Sequence, residues 1–120
     1  MPRFQREKKK SGGISYHVHV PKFYNDKTPV EEYRFEITEE DLVSVFGGCS
    51  ERAVEKGVWK DPNTKKIYKD WNLVYEIDVY GQKKISEAET FFKFYKRILE
   101  TRFEQKKIYI TANVLMGPSR

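Results

Sequence analysis

The clearest pattern in the chain runs from Trp71 to Tyr80, where Trp71, Leu73, Tyr75, Ile77 and Val79 alternate with Asn72, Val74, Glu76, Asp78 and Tyr80. Successive side chains of a strand point to opposite faces, so this spacing predicts a strand with one buried face. Tyr16, Val18 and Val20 alternate in the same way with Ser15, His17 and His19, and Pro21 ends that strand or confines it to an edge. After the polar loop Asn25-Asp26-Lys27-Thr28-Pro29, Tyr33, Phe35 and Ile37 alternate with Arg34 and Glu36, which predicts a second strand. A strand over 54–60, the turn formers Asp61-Pro62-Asn63-Thr64 and a return path from Ile67 predict a hairpin. Ile108, Ile110, Ala112 and Val114 predict the last strand, with Tyr109, Thr111 and Asn113 on its other face.

Two segments change period. Thr38 is expected to cap a short helix in which Leu42, Val45 and Phe46 share a face and Gly47-Gly48 make the stop. Ser86-Glu87-Ala88-Glu89 reads as a capping box, followed by the stripe Ala88, Phe91, Phe92, Tyr95, Ile98, Leu99 and Phe103. The expected fold is therefore α+β: a ferredoxin-like β-α-β-β-α-β antiparallel sheet with two helices on one face, preceded by an extra N-terminal strand. The expected organisation is a flexible basic arm over 1–13, one domain over 14–116 and a tail over 117–120.

Phe46-Gly47-Gly48, the hairpin Gly57-Val58-Trp59-Lys60-Asp61 with Thr64 and Tyr68-Lys69-Asp70 on its return, and Arg102-Phe103-Glu104-Gln105 after an aromatic helix form a recognisable set. In these motifs, across roughly residues 33–114, the chain resembles a family of small ferredoxin-like proteins of bacteria and archaea. The resemblance implies the fold and brings no activity with it.

Charge changes the picture more than composition does. Net charge is +5, and residues 1–10 place Arg3, Arg6, Lys8, Lys9 and Lys10 against Glu7 alone. Residues 31–41 form an acidic segment, whereas residues 83–107 are Lys/Arg-rich. Such asymmetry bears on partners and steering. The single cysteine, Cys49, rules out an intrachain disulfide and a thiolate metal cage, and reads as a packing residue. Charged residues at 34% with frequent Lys, Glu, Ile and Tyr give a thermophile-like balance. No run approaches the roughly 20 apolar residues that span a bilayer, and the first residues lack the apolar core of a signal peptide, so the expected location is cytoplasmic.

The arm RFQREKKK can neutralise phosphates without any fixed geometry, although a solubilising tail has the same composition. In the hairpin, Lys60, Lys65, Lys66 and Lys69 are interleaved with Trp59, Tyr68 and Trp71, a mixture that stacks bases and holds phosphates; rings packed on the core explain the same residues. The cations of the long helix share their face with Glu89, Glu100 and Glu104 and read as a solvated, ion-paired surface.

The sheet face turned away from the helices is expected to collect His17, His19, Arg34, Glu36, Asn72, Glu76, Asp78, Tyr109, Thr111 and Asn113. Two imidazoles and three carboxylates (His17, His19, Glu36, Glu76 and Asp78) are the parts list of a metal-dependent hydrolase or nuclease, whereas Arg34 and solvent account for them without a metal. The same carboxylates would repel a phosphate backbone, and the aromatic motif of an RNA-recognition sheet is absent. The sequence thus reads as a non-enzymatic binding module with no cofactor and no metal, whose basic arm and Lys-rich hairpin contact nucleic acid or a nucleoprotein assembly. A protein-interaction module or homodimer through sheet edges is the alternative.

Overall fold

The computed structural model describes residues 12–116. Six elements follow in order: β1 (Gly13–Pro21), α1 (Glu32–Phe46), β2 (Ser50–Lys60), β3 (Ile67–Tyr80), α2 (Gln82–Arg102) and β4 (Tyr109–Leu115). The strands form one antiparallel sheet in the order β2-β3-β1-β4. Tyr16, Val18 and Val20 of β1 and Leu73, Tyr75, Ile77 and Val79 of β3 share a single core cluster with Phe35 and Leu42 of α1 and Ala88, Phe92, Tyr95 and Leu99 of α2. Because those strand residues are all of one parity, both helices cover the same face of an α+β fold.

The expected second strand does not exist. Residues 33–37 open α1, one helix from Glu32 to Phe46, and the strand before them is β1 of the six-element unit rather than an addition to it. The helix buries Phe35, Thr38 and Leu42. Thr38 is therefore no N-cap: it sits fully buried in mid-helix, and its hydroxyl donates to the Arg34 carbonyl at 2.8 Å. Gly47 ends α1 in the left-handed region at φ 84°, its N–H donating to Val43, as the Gly-Gly pair predicts. The second helix starts a turn before the expected capping box, with Gly81 at φ 92° in front of Gln82.

Gly13, expected in the arm, belongs to β1. A Cβ there would lie 2.5 Å from the Val79 carbonyl oxygen and 2.7 Å from the Tyr80 ring, so only glycine lets the two backbones approach this closely. Residues 1–11, with Arg3, Arg6, Lys8, Lys9 and Lys10, and the tail 117–120 lie outside the described residues.

Arg102 ties the helices together. Its guanidinium donates to Thr38 Oγ1 at 2.9 Å and to the Tyr95 hydroxyl at 3.1 Å, and pairs with Asp41 at 3.0 Å. Tyr95 in turn donates to Asp41 at 2.9 Å, and Arg34 donates to the Arg102 carbonyl at 2.8 Å. Tyr75, buried beneath α1, donates to Glu39 at 2.8 Å.

Tyr16 is the exception to this pairing. It is 4% exposed, packs on Phe92 with ring centroids 4.9 Å apart, and its buried hydroxyl has no hydrogen-bond partner among the described residues. An unpartnered buried hydroxyl costs stability that a ring of the same shape avoids. Tyr16→Phe is accordingly expected to raise the unfolding free energy by about 1 kcal/mol. Urea denaturation reads this directly, and a loss of stability would show that the hydroxyl is satisfied.

Candidate nucleic-acid interface

The β1 ladder on β3 ends at Pro21↔Asn72, followed by one more bond from the Lys22 N–H to the Trp71 carbonyl at 2.9 Å. Beyond it β2 and β3 continue to pair with each other alone, from Lys56↔Trp71 to Lys60↔Ile67. At about 3.3 Å per residue this two-stranded ribbon projects some 15 Å past β1. Its end is organised by Asp61, whose carboxylate accepts from the N–H groups of Asn63 at 2.7 Å and Thr64 at 3.1 Å. The Asp61 N–H donates to the Lys66 carbonyl at 2.9 Å, and Lys65 takes the left-handed conformation. The turn is where the sequence predicts it.

Pairing and parity sort the ribbon into two faces. Val58, Lys60, Ile67, Lys69 and Trp71 continue the helix side of the sheet, whereas Trp59 and Asp70 continue the open side. Trp59 and Trp71 are 46% and 44% exposed, Ile67 is 66% exposed, and none belongs to the core cluster. Packing of these two indoles on the core, the competing explanation of the hairpin's composition, does not hold. Trp59 instead donates from Nε1 to Asp70 at 2.8 Å across the ribbon. Lys65 and Lys66 occupy the exposed tip.

The open sheet face places His17, His19, Glu76 and Asp78 on the expected side, with His17 opposite Glu76 and Thr111 in register. Glu36 and Arg34 are not there, because both lie on α1 across the sheet. Among the described residues no three His, Cys, Asp or Glu side chains are arranged to hold a metal. Glu76 Oε2 lies 3.0 Å from His17 Nε2 and 3.1 Å from Arg52 Nη1, and accepts from the hydroxyl of buried Ser15 at 3.3 Å. The Ser15 hydroxyl is also 3.1 Å from His17 Nε2. A serine–histidine–carboxylate relay needs the acid on one ring nitrogen and the hydroxyl on the other; here both meet Nε2, so the cluster cross-braces β1, β2 and β3. Burial pushes the Cys49 thiol up, and Glu39 and Glu51 add to the shift, which keeps it protonated and poorly nucleophilic.

A groove of about 580 Å³ between the helices, lined by Tyr33, Arg34, Ile37, Arg97, Ile98 and Arg102 among others, includes none of the residues singled out from the sequence as candidate ligands or catalysts. No helix among the described residues is long and apolar enough to cross a membrane.

No protein-family model and no curated protein matches the chain. Among solved structures it is similar to a phage SAM lyase in complex with S-methyl-5′-thioadenosine, with a TM-score of 0.56 and 14% identity over 90% of this chain and 86% of that one. At that identity the likeness is one of fold.

Proposed function

We propose that this protein is a non-enzymatic binding module that grips nucleic acid with the β2–β3 hairpin, the N-terminal cations Arg3, Arg6, Lys8, Lys9 and Lys10 adding phosphate contacts. The observation that carries this reading is the projecting ribbon, on which Lys60 and Lys69 share a face with solvent-exposed Val58, Ile67 and Trp71. Cations neutralise phosphates and release counterions, while an exposed indole and aliphatic side chains stack on or wedge between bases. A two-stranded ribbon also fits the major groove, about 12 Å wide. Glu76 and Asp78 make the flat sheet face unsuitable for a phosphate backbone, leaving the ribbon as the interface. The element order and the sheet order β2-β3-β1-β4 support placing the fold in the ferredoxin-like class, and a cytoplasmic location accords with this function.

Fluorescence anisotropy with short DNA and RNA, single- and double-stranded, across a salt series tests the reading. For a variant with Lys60, Lys65, Lys66 and Lys69 all changed to Gln, the slope of log K against log salt should shrink by roughly 3. Loss of the slope only on deleting residues 1–11 would move the contact to the arm. No binding by the intact chain at low salt would end the nucleic-acid reading.

A further inference from the structure

The sheet has two edges, and they are built differently. The β2 edge carries Glu51, Arg52 and Lys60 and a register break between Arg52 and Glu55, devices that discourage another strand from adding to it. The β4 edge has none of them. Its sequence Tyr109–Leu115 contains no charged residue and no proline, and its pairing with β1 runs without a shift from Gly13↔Leu115 to His19↔Tyr109. Every other residue therefore turns its N–H and C=O groups outward, on an unshifted strand with β-formers at Tyr109, Ile110, Thr111 and Val114.

The side chains of β4 are as unfinished as its backbone. On the helix side Ile110 packs against the core, but Ala112 is exposed and Val114 is 78% exposed, since α2 does not cover this end of the strand. On the open side Tyr109, Thr111 and Asn113 are also exposed.

We propose that this edge joins a second copy of the same chain, β4 to β4 antiparallel, about a two-fold axis at Ala112, giving a continuous eight-stranded sheet. The strand's own pattern selects the occupant and the register. With Ala112 opposite its symmetry mate, Ile110 faces Val114, Thr111 faces Asn113 and Tyr109 faces Leu115. Apolar meets apolar on the helix side; on the open side the inner Thr111–Asn113 pairs are small and polar and the outer Tyr109–Leu115 pairs set a ring on an aliphatic side chain, so all seven residues find a partner. Moving the axis to Thr111 sets Lys107 against Leu115, and moving it to Asn113 sets Thr111 against Leu115. An isologous contact of this kind closes at two copies and leaves no sticky edge, since the outer edges of the dimer are the two protected β2 strands. It also leaves both hairpins free, so it is independent of the nucleic-acid reading.

Sedimentation equilibrium across the micromolar to submillimolar range should show a mass rising from 14.3 kDa to twice that value. Ala112→Lys sets two like charges against each other at the axis and should weaken association about 100-fold. In a Cys49→Ser background, Ala112→Cys should form an intermolecular disulfide readily and Thr111→Cys should not, because only position 112 faces itself within bonding distance. A monomer at every concentration overturns the proposal. So does a dimer that tolerates Ala112→Lys and fails to cross-link through position 112, which would place the contact elsewhere.

Discussion

Phe103→Ala is expected to cost about 4 kcal/mol of folding stability, close to the upper end for a single core truncation. The ring is fully buried, its centroid lies 5.5 Å from that of Phe35, and it follows directly on the last residue of α2. There its N–H still closes the final helical turn on Leu99, while Glu104 turns into the left-handed region and Gln105 bonds back to Glu100. The chain is held on both sides of the ring and cannot collapse into the space the ring would leave. The cost is thus the lost transfer energy plus a cavity that persists. Phe103→Leu keeps most of the volume and should cost roughly 1.5 kcal/mol. Chemical denaturation reads both numbers, and a Phe103→Ala loss below that of the leucine variant would mean that α2 relaxes inward and the site is not rigid.

Phe35, the other half of that contact, is also where pattern reading goes wrong. Tyr33, Phe35 and Ile37 alternate with Arg34 and Glu36, a period of two, yet only Phe35 of the three points into the core. The helix buries positions 35, 38 and 42, and the middle one is Thr38, a polar residue in an apolar slot. Its hydroxyl is satisfied within the helix by the Arg34 carbonyl and from outside by Arg102, partners 4 and 64 residues away. No hydropathy pattern registers a polar residue made at home in this way. The available signal was electrostatic: Glu31 and Glu32 behind Pro29 suit the positive end of a helix dipole better than the start of a strand. Where burial follows hydropathy alone, as in β1, in β3 up to its free end and in most of the α2 stripe, the elements are legible.

The candidate sites divide along the same line. His17, His19, Glu76 and Asp78 follow from strand parity and lie on the expected face, whereas Glu36 and Arg34 went to the other side with the helix that contains them. The ribbon's turn chemistry was local and readable at Asp61, but its projection was not, because it depends on how far β1 extends along β3. Pro21 stops the nine-residue β1 while β3 runs on to fourteen, so Trp71 falls just past the end of the covered sheet. An alternating pattern counts Trp71 as core; the neighbouring strand's length makes it an exposed indole.

Alkaline pH is expected to unfold this protein steeply, through its buried tyrosines. Burial is the main cause that raises the pKa values of Tyr16, Tyr75 and Tyr95 above the ordinary 10.0. Carboxylates add to each shift: Glu89 by its charge at Tyr16, Glu39 by a hydrogen bond at Tyr75, and Asp41 by a hydrogen bond at Tyr95, where Arg102 acts in the opposite sense. Below pH 10 all three phenols are protonated in both states, and the hydrogen bonds of Tyr75 to Glu39 and of Tyr95 to Asp41 contribute fully. Above it the unfolded chain loses protons that the folded chain keeps, so the unfolded state is favoured and stability falls until the folded-state pKa values are reached. Each phenol contributes up to about 1.4 kcal/mol per pH unit until its own folded-state pKa is reached, so Tyr75 and Tyr95, whose shifts are the large ones, carry most of the loss, enough to exhaust a stability of about 5–15 kcal/mol within a few units. Urea midpoints between pH 9 and 12, with tyrosinate absorbance recorded alongside, should show unfolding and the ionisation of three tyrosines as one transition. Tyr75→Phe should flatten the slope by about a third. If these tyrosines ionise near pH 10 with the fold intact, their rings are more hydrated than the packing around Glu39 and Asp41 requires, and the bonds that tie α1 to β3 and α2 carry less of the stability than their geometry suggests.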